Sequence, residues 1–224
     1  MQHTTIINTL WHGISVGPCL VNSVLANLLF QDFQIINPGK AGIYFVWGNV
    51  AIDHGFVVGA QGGGIVAFQV HGLHVTNCNL LSNKEAGVLM QGIHPTLGQV
   101  GIVIQGNTIQ NTQSIYGLYG DGIMATLFPA EQSLVASLLN NQIIESERAG
   151  SSSFGADLSL AGNNIFCSPF DLDGEFFPSP SGIPYKFNDL VGNLCGCPRI
   201  PLEGGGCEVT SSTLTPPPPV GELQ

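Results

Sequence analysis

Charge is what this sequence has least of. Lys and Arg number five and Asp and Glu 15, together 9% of 224 residues, against about 25% in an average soluble chain. The five cations, Lys40, Lys84, Arg148, Lys186 and Arg199, form no run or stripe, and the formal net charge is −10. Nucleic-acid binding by phosphate neutralisation needs a basic face, so no nucleic-acid partner is expected. Long apolar runs are missing too: none reaches the ~18 residues of a membrane-crossing helix. Met1 to Thr5 contains no basic residue and no apolar segment follows, so the start does not read as a secretory signal. The chain reads as a protein stripped of its export signal, or as the C-terminal part of a longer solenoid.

What is abundant is a repeated phrase. It is clearest at Val75-Thr76-Asn77-Cys78-Asn79-Leu80-Leu81, followed by Ala86-Gly87-Val88-Leu89-Met90. It returns at Val103-Ile104-Gln105-Gly106-Asn107-Thr108-Ile109 with Gly122-Ile123-Met124, and at Leu138-Leu139-Asn140-Asn141-Gln142-Ile143 with Ala149-Gly150. A partial copy is Leu160-Ala161-Gly162-Asn163-Asn164-Ile165-Phe166. The glycines that open the second segment, Gly42, Gly64, Gly87, Gly122 and Gly150, are spaced by 22, 23, 35 and 28 residues. The shorter spacings suit one turn of a parallel β-solenoid, the longer ones a turn with an added loop. A unit this short cannot bury its own apolar side and must stack on its neighbours.

The shortage of charge fits such a stack. Equivalent side chains on neighbouring turns lie about one strand spacing, ~4.8 Å, apart, where like charges repel by about 1 kcal/mol even in water. Neutral amides escape that cost and can bond to one another up the stack. Asn79, Asn107, Asn141 and Asn164 are therefore expected to form an Asn ladder.

Six cysteines are present, four of them late in the chain: Cys167, Cys195, Cys197 and Cys207. Even number and late clustering point to disulfides in a loop-rich cap, made in an oxidising compartment. Cys195 and Cys197 are too close to bridge to each other, so the four would cross-pair. Cys78, inside a repeat, reads as a small buried hydrophobe.

The phrases with Gly-Ile and Gly-Val openings and Asn-x-Ile steps resemble the right-handed parallel β-helix repeats of the pectin-lyase-like superfamily. Ser151–Asn163, Phe170–Glu175 and Gly192–Cys197 are similar to the C-terminal part of bacterial secreted proteins of this class. The resemblance spans roughly residues 30–200 and implies a right-handed parallel β-helix of roughly six coils. It is specific for fold and weak for activity, because this fold hosts many functions. The expected division is a β-helix over 1–170, a Cys-containing irregular cap over 171–209 and a Pro-rich extended tail over 210–224. Before the repeats, Ser23 to Phe30 could be a strand pair or a short helix.

Sites are harder to find. Trp11-His12-Gly13-Ile14-Ser15-Val16-Gly17 is similar to the Gly-His-Gly-Ile-Ser-Ile-Gly signature of polygalacturonases. Trp11 replaces the first Gly, and the family's upstream aspartates and downstream Arg-x-Lys have no counterpart. Hydrolysis needs a carboxylate pair, so the match reads as a coincidence. Elimination needs Ca²⁺ and a basic group near the α-proton. Asp121, Glu145 and Arg148 are the candidates for lining a groove, with surface pairing the plainer alternative. Asp171 to Glu175 has acids spaced as in a Ca²⁺ loop without the further ligands, and reads as an acidic turn ending the solenoid. No cofactor is expected, with Ca²⁺ hinted at by these acids and a metal site on the four late cysteines the runner-up to their disulfides.

The reading is a non-catalytic extracellular or cell-surface scaffold or binding module, with polysaccharide or a cell-surface protein as partner. The competing class is a polysaccharide lyase or glycoside hydrolase, which would need a convergent acid–base set on one face. An inert stalk would have no groove at all.

Overall fold

Each repeat phrase supplies three short strands separated by three corners, of which the one between Val75 and Leu80, with its equivalents, is always tight and the other two carry the longer loops. The computed structural model describes residues 4–17, 20–21, 24–25, 27–115, 117–128, 133–178, 182–197 and 206–216; Cys19 lies outside them. Among these residues there is no helix, and the strands assemble into three parallel sheets that wind as a β-solenoid of about seven turns. Within each of the three sheets, the inner strands pair with their equivalents one turn before and one turn after, in chain order.

Sheet 1 contains Thr4–Ile7, Phe33–Ile36, Phe56–Val58, Asn79–Leu81, Thr108–Gln110, Gln142–Ile144, Asn164–Phe166 and Leu194–Gly196. Sheet 2 contains Ile14–Val16, Ile43–Val46, Ile65–Val70, Ala86–Ile93, Asp121–Thr126, Ala149–Phe154, Phe170–Glu175 and Val209–Thr210. Sheet 3 contains Asn27–Gln31, Asn49–Asp53, Gly72–Thr76, Gly101–Gln105, Val135–Leu139, Asp157–Ala161 and Lys186–Val191. Leu20–Val21 and Val24–Leu25 form a small antiparallel pair and Asn27–Gln31 is a strand of sheet 3; Ser23 and Ala26 lie outside the described residues.

In-register pairing turns like residues into columns. In sheet 1 the column is Ile35, Val57, Leu80, Ile109, Ile143, Ile165 and Cys195; in sheet 3 it is Phe30, Ile52, Val75, Ile104, Leu138 and Leu160. All are buried. Continuous burial of aliphatic side chains on neighbours one strand spacing away is the main stabilising contribution, about 1.5–3 kcal/mol per side chain.

The repeated glycine is explained by crowding at the corner between sheets 1 and 2. A Cβ on Gly87 would lie 2.3 Å from Ile109 Cγ2 and 2.6 Å from the Gly122 carbonyl; one on Gly122 would meet Ile143 Cγ2 and the Gly150 carbonyl at 2.3 and 2.6 Å. Each glycine leaves room for the aliphatic column of the next turn.

The corner between sheets 3 and 1 carries the amide ladder, through Asn107, Asn141, Asn163 and Asn193. Asn141 Oδ1 accepts from Asn107 N and Nδ2, Asn163 Oδ1 from Asn141 N and Nδ2, and Asn193 Oδ1 from Asn163 N and Nδ2, at 2.9–3.1 Å. The second amide proton goes to a backbone carbonyl: Val75 from Asn107, Ile104 from Asn141 and Leu138 from Asn163. Two expected members are corrected. Asn79 and Asn164 stand one residue later, where they open strands of sheet 1. The position that counts follows a left-handed residue, namely Asn77, Gly106, Asn140, Gly162 or Gly192. At the first of these turns it is Cys78, whose Sγ accepts weakly from Gly55 N at 3.4 Å and whose N donates to Asn107 Oδ1.

The winding does not stop at Phe170. Phe170–Glu175, Lys186–Val191, Leu194–Gly196 and Val209–Thr210 extend all three sheets, so Asp171 to Glu175 is a strand and not a terminating turn. Cys167–Cys197 and Cys195–Cys207 are disulfides that tie the last turns together. Cys78 is free and buried, and burial pushes its thiol up to about 12.

Candidate functional site

The corner between sheets 1 and 2 brings together residues that lie far apart in the chain. His12, Lys40, Gln61 and Gly62, Glu85 and Tyr119 each stand shortly before a sheet 2 strand on successive turns. With Tyr44 and Val66 from the outer face of that sheet they line a cavity of about 130 Å³. An apolar cavity of ~150 Å³ admits a benzene ring, so the space is on the scale of one small ring.

One wall is aromatic. The His12 and Tyr44 rings stack at 4.7 Å and 18°, and the Ala41 N–H donates to His12 Nδ1 at 3.2 Å. Beside them the Lys40 ammonium sits 4.1 Å from the Trp11 ring centre. Burial, and then the charge of Lys40, hold the His12 imidazole below its ordinary value, so the ring is neutral at pH 7. Nδ1 is an acceptor, which leaves the proton on Nε2.

Glu85 is the acidic residue of the lining. Its backbone takes φ of 67°, uncommon for a residue with a side chain, and is fixed by the Gly120 N–H donating to its carbonyl and by its own N–H donating to Gln113 O at 3.0 Å. The carboxylate accepts from Gly63 N at 3.2 Å. Burial pushes Glu85 up from 4.5 to about 7, against the Gly63 N–H and Lys40. Tyr119, 2% exposed, is raised by burial and by the nearby Glu85. A carboxyl near neutrality between an aromatic pair and a cation can give or take a proton, or share one with a hydroxyl.

The groove candidates are placed elsewhere and must be corrected. Asp121 is 0% and Arg148 7% exposed. Arg148 Nε donates to Asp121 Oδ1 at 2.8 Å, its Nη2 to Asp121 Oδ2, and its Nη1 to Asp173 Oδ2 at 3.3 Å. Ser152 Oγ and Ala149 N also donate to Asp121. Burial still raises Asp121 and Asp173. Glu145 is exposed, with φ of 55°, and does not join them.

The cluster is roofed. Ser212 N and Oγ donate to Asp173, and Ser211 Oγ to both oxygens of Glu175, so the start of the expected Pro-rich extended tail is docked. Further along, Ile115, Leu118 and Tyr119 pack on Val66, Leu89, Met124 and Phe154. The excursion after Gln113 therefore covers the outer face of sheet 2 and brings Tyr119 to the corner cavity. Among the described residues no three His, Cys, Asp or Glu side chains come together to hold a metal ion.

Sequence reasoning noticed His12 and set it aside, and missed Lys40, Tyr44, Glu85 and Tyr119. The available signal was Lys84-Glu85, a charged pair at a corner in a chain almost without charge. No curated protein and no solved structure is matched by the chain. The family model described as "Right handed beta helix region" matches residues 1–166. With most of the chain matched and the strands wound as three stacked parallel sheets, the protein belongs to the right-handed β-helix family.

Proposed function

We propose that this β-helix is a non-catalytic binding module for saccharides, working outside the cell or on its surface, with the corner cavity as its binding site. The carrying observation is the stacked His12–Tyr44 pair lining, together with Glu85, a ring-sized cavity. An aromatic wall with a few converging polar groups is the usual make-up of a small-molecule site, and Lys40, Gln61, Glu85 and Tyr119 supply donors and acceptors suited to hydroxyls. The two disulfides agree with an oxidising location.

Glu85 itself favours a second reading. A carboxyl at about 7 suits general acid–base catalysis, and a lyase could use it. Hydrolysis fits less well, because it takes two carboxyls about 5–9.5 Å apart, and Asp121 is engaged by Arg148.

The test is a panel of neutral and acidic oligosaccharides, followed by calorimetry and by ultraviolet absorbance of unsaturated products. Saturable binding abolished by Tyr44→Ala, with no product, is expected. Binding to none of the panel, or binding untouched by Tyr44→Ala, would overturn the assignment. Product lost in Glu85→Gln would establish the lyase.

A further inference from the structure

Sheet 1 turns an uncharged face outward. Its eight strands contain no Asp, Glu, Lys, Arg or His, whereas about a quarter of an average soluble chain is charged and almost all of that charge is exposed. The other two faces differ. The outer rows of sheet 3 hold Asp53, Asp157 and Lys186. Sheet 2 is covered by Ile115, Leu118 and Tyr119 and roofed by Ser211 and Ser212.

Side chains alternate along a strand, so the residues that flank the buried column from Ile35 to Cys195 point outward. In-register pairing lines them up as two columns. One is aliphatic: Ile7, Ile36, Val58, Leu81, Ile144 and Phe166, interrupted by Gln110. Ile7 is 56% exposed and the others are half-buried. The second column is mainly amides and hydroxyls, Gln34, Asn79, Thr108, Gln142 and Asn164 among them. At ~4.8 Å per strand the face is about 34 Å long. With one corner residue on either side, five residues of ~3.3 Å make it about 17 Å wide.

Such a face fits itself. The chain carries a formal net charge of −10, so its copies repel one another, and sheet 1 lets two copies touch without setting like charges together. Aliphatic side chains need only an apolar surface, and each amide both donates and accepts. The pattern is therefore self-complementary, as a pair related by a two-fold axis requires. Two faces of this size bury roughly 1,200 Å² together, the lower limit for a specific interface.

We infer that sheet 1 is an interface between two copies of this chain, packed face to face ~10 Å apart as the sheets of a β-sandwich are. A two-fold axis that crosses the rods at right angles sets the aliphatic column of one copy on that of the other, with the rods antiparallel. Leu81, on the fourth of the eight strands, then lies at the middle of the interface.

Sedimentation equilibrium of the intact chain over a concentration series is the test. A dimer that dissociates in the range of about 1–100 μM is expected of so small an interface. Added salt should tighten it, because what salt screens here is repulsion between two acidic copies. Leu81→Glu sets two unpaired carboxylates in the apolar centre and should weaken the dimer at least about tenfold. An equal mixture of Leu81→Glu and Leu81→Lys should restore it. Val135→Glu places the same charge on an exposed residue of sheet 3 and should leave the dimer intact. Melting temperatures establish that the variants are folded, and Ile144→Glu replaces Leu81→Glu if that variant is not. A chain that stays monomeric to about 1 mM, or a dimer indifferent to the charge at Leu81 and Ile144, overturns the interface. So does a monomer that binds cellulose powder and loses that binding in Leu81→Glu, which would assign the face to a neutral glycan.

Discussion

The side-chain oxygen of Asn141 takes both the backbone N–H and the amide N–H of Asn107, at 3.1 and 3.0 Å. Its own amide repeats the arrangement on Asn163, and its remaining proton goes to Ile104 O at 2.8 Å. Asn141→Leu strands several buried polar groups at once, each costing about 1–3 kcal/mol. A loss of about 3 kcal/mol or more is expected in urea unfolding. A loss under about 1 kcal/mol would mean that the ladder is not a source of stability.

The same column predicts a gain. Cys78 holds the ladder position with a thiol that accepts weakly from Gly55 N and lies 3.9 Å from Ile52 O. Cys78→Asn offers a carbonyl to the first and an N–H to the second, and is expected to stabilise by about 1 kcal/mol. A lower melting temperature would show that the site is too tight for an amide.

Arg148 is a lone cation between Asp121 and Asp173. Arg148→Met leaves both carboxylates buried without it and is expected to cost about 3–5 kcal/mol at pH 7. Burial already raises both acids. A raised native pKa means that the folded state binds protons more readily than the unfolded chain, so acidification favours folding. The variant should therefore regain stability as pH falls through the raised values, which denaturant melts along a pH series would read. A variant equally weak at every pH would place the damage in packing.

Glu85 gives a second pH signature with the same sign. Its native value is about 7, against 4.5 unperturbed. The folded protein keeps a proton that the unfolded chain releases across that window, so stability falls as pH rises from about 4.5 to about 7. With about 1.4 kcal/mol per pH unit, the loss is of the order of 3 kcal/mol, reduced by whatever solvent reaches this partly exposed side chain. Glu85→Gln should remove that slope; an unchanged slope would move its origin elsewhere.

Reduction of Cys167–Cys197 and Cys195–Cys207 should lower stability by about 2–4 kcal/mol for each bridge. Hydrogen exchange would locate the effect in the last turns. Uniform loosening would contradict the placement of the bridges.

The winding was legible because its causes are local and repeated: an aliphatic step, a corner residue, a glycine before the next strand. The ladder was legible to within one residue. Asparagine does two jobs at this corner: Asn140, at φ 52°, makes the turn, while Asn141 makes the ladder. A sequence phrase that contains both does not say which is which, and Asn79 and Asn164 were taken for their neighbours. The corner cavity was illegible for a different reason. His12, Lys40, Glu85 and Tyr119 meet only because turns of unequal length bring equivalent corners into register, and the positive φ of Glu85 has no signature in its residue type. Ser211 and Ser212 stand in a stretch whose prolines indicate an extended tail and nothing of what it touches, while their partners Asp173 and Glu175 belong to the preceding turn of sheet 2.

The parallel register has a mechanical consequence. Hydrogen bonds between turns run along the axis of the rod and join each turn only to the next, so a pull along that axis loads the turns in series, as in a spring. The described cross-links brace one end alone, through Cys167–Cys197 and Cys195–Cys207. Stretched between two anchors, the cross-linked turns would hold longest, and the corner cavity, built from turns without a described cross-link, would open before the roofed arginine cluster lost its shape.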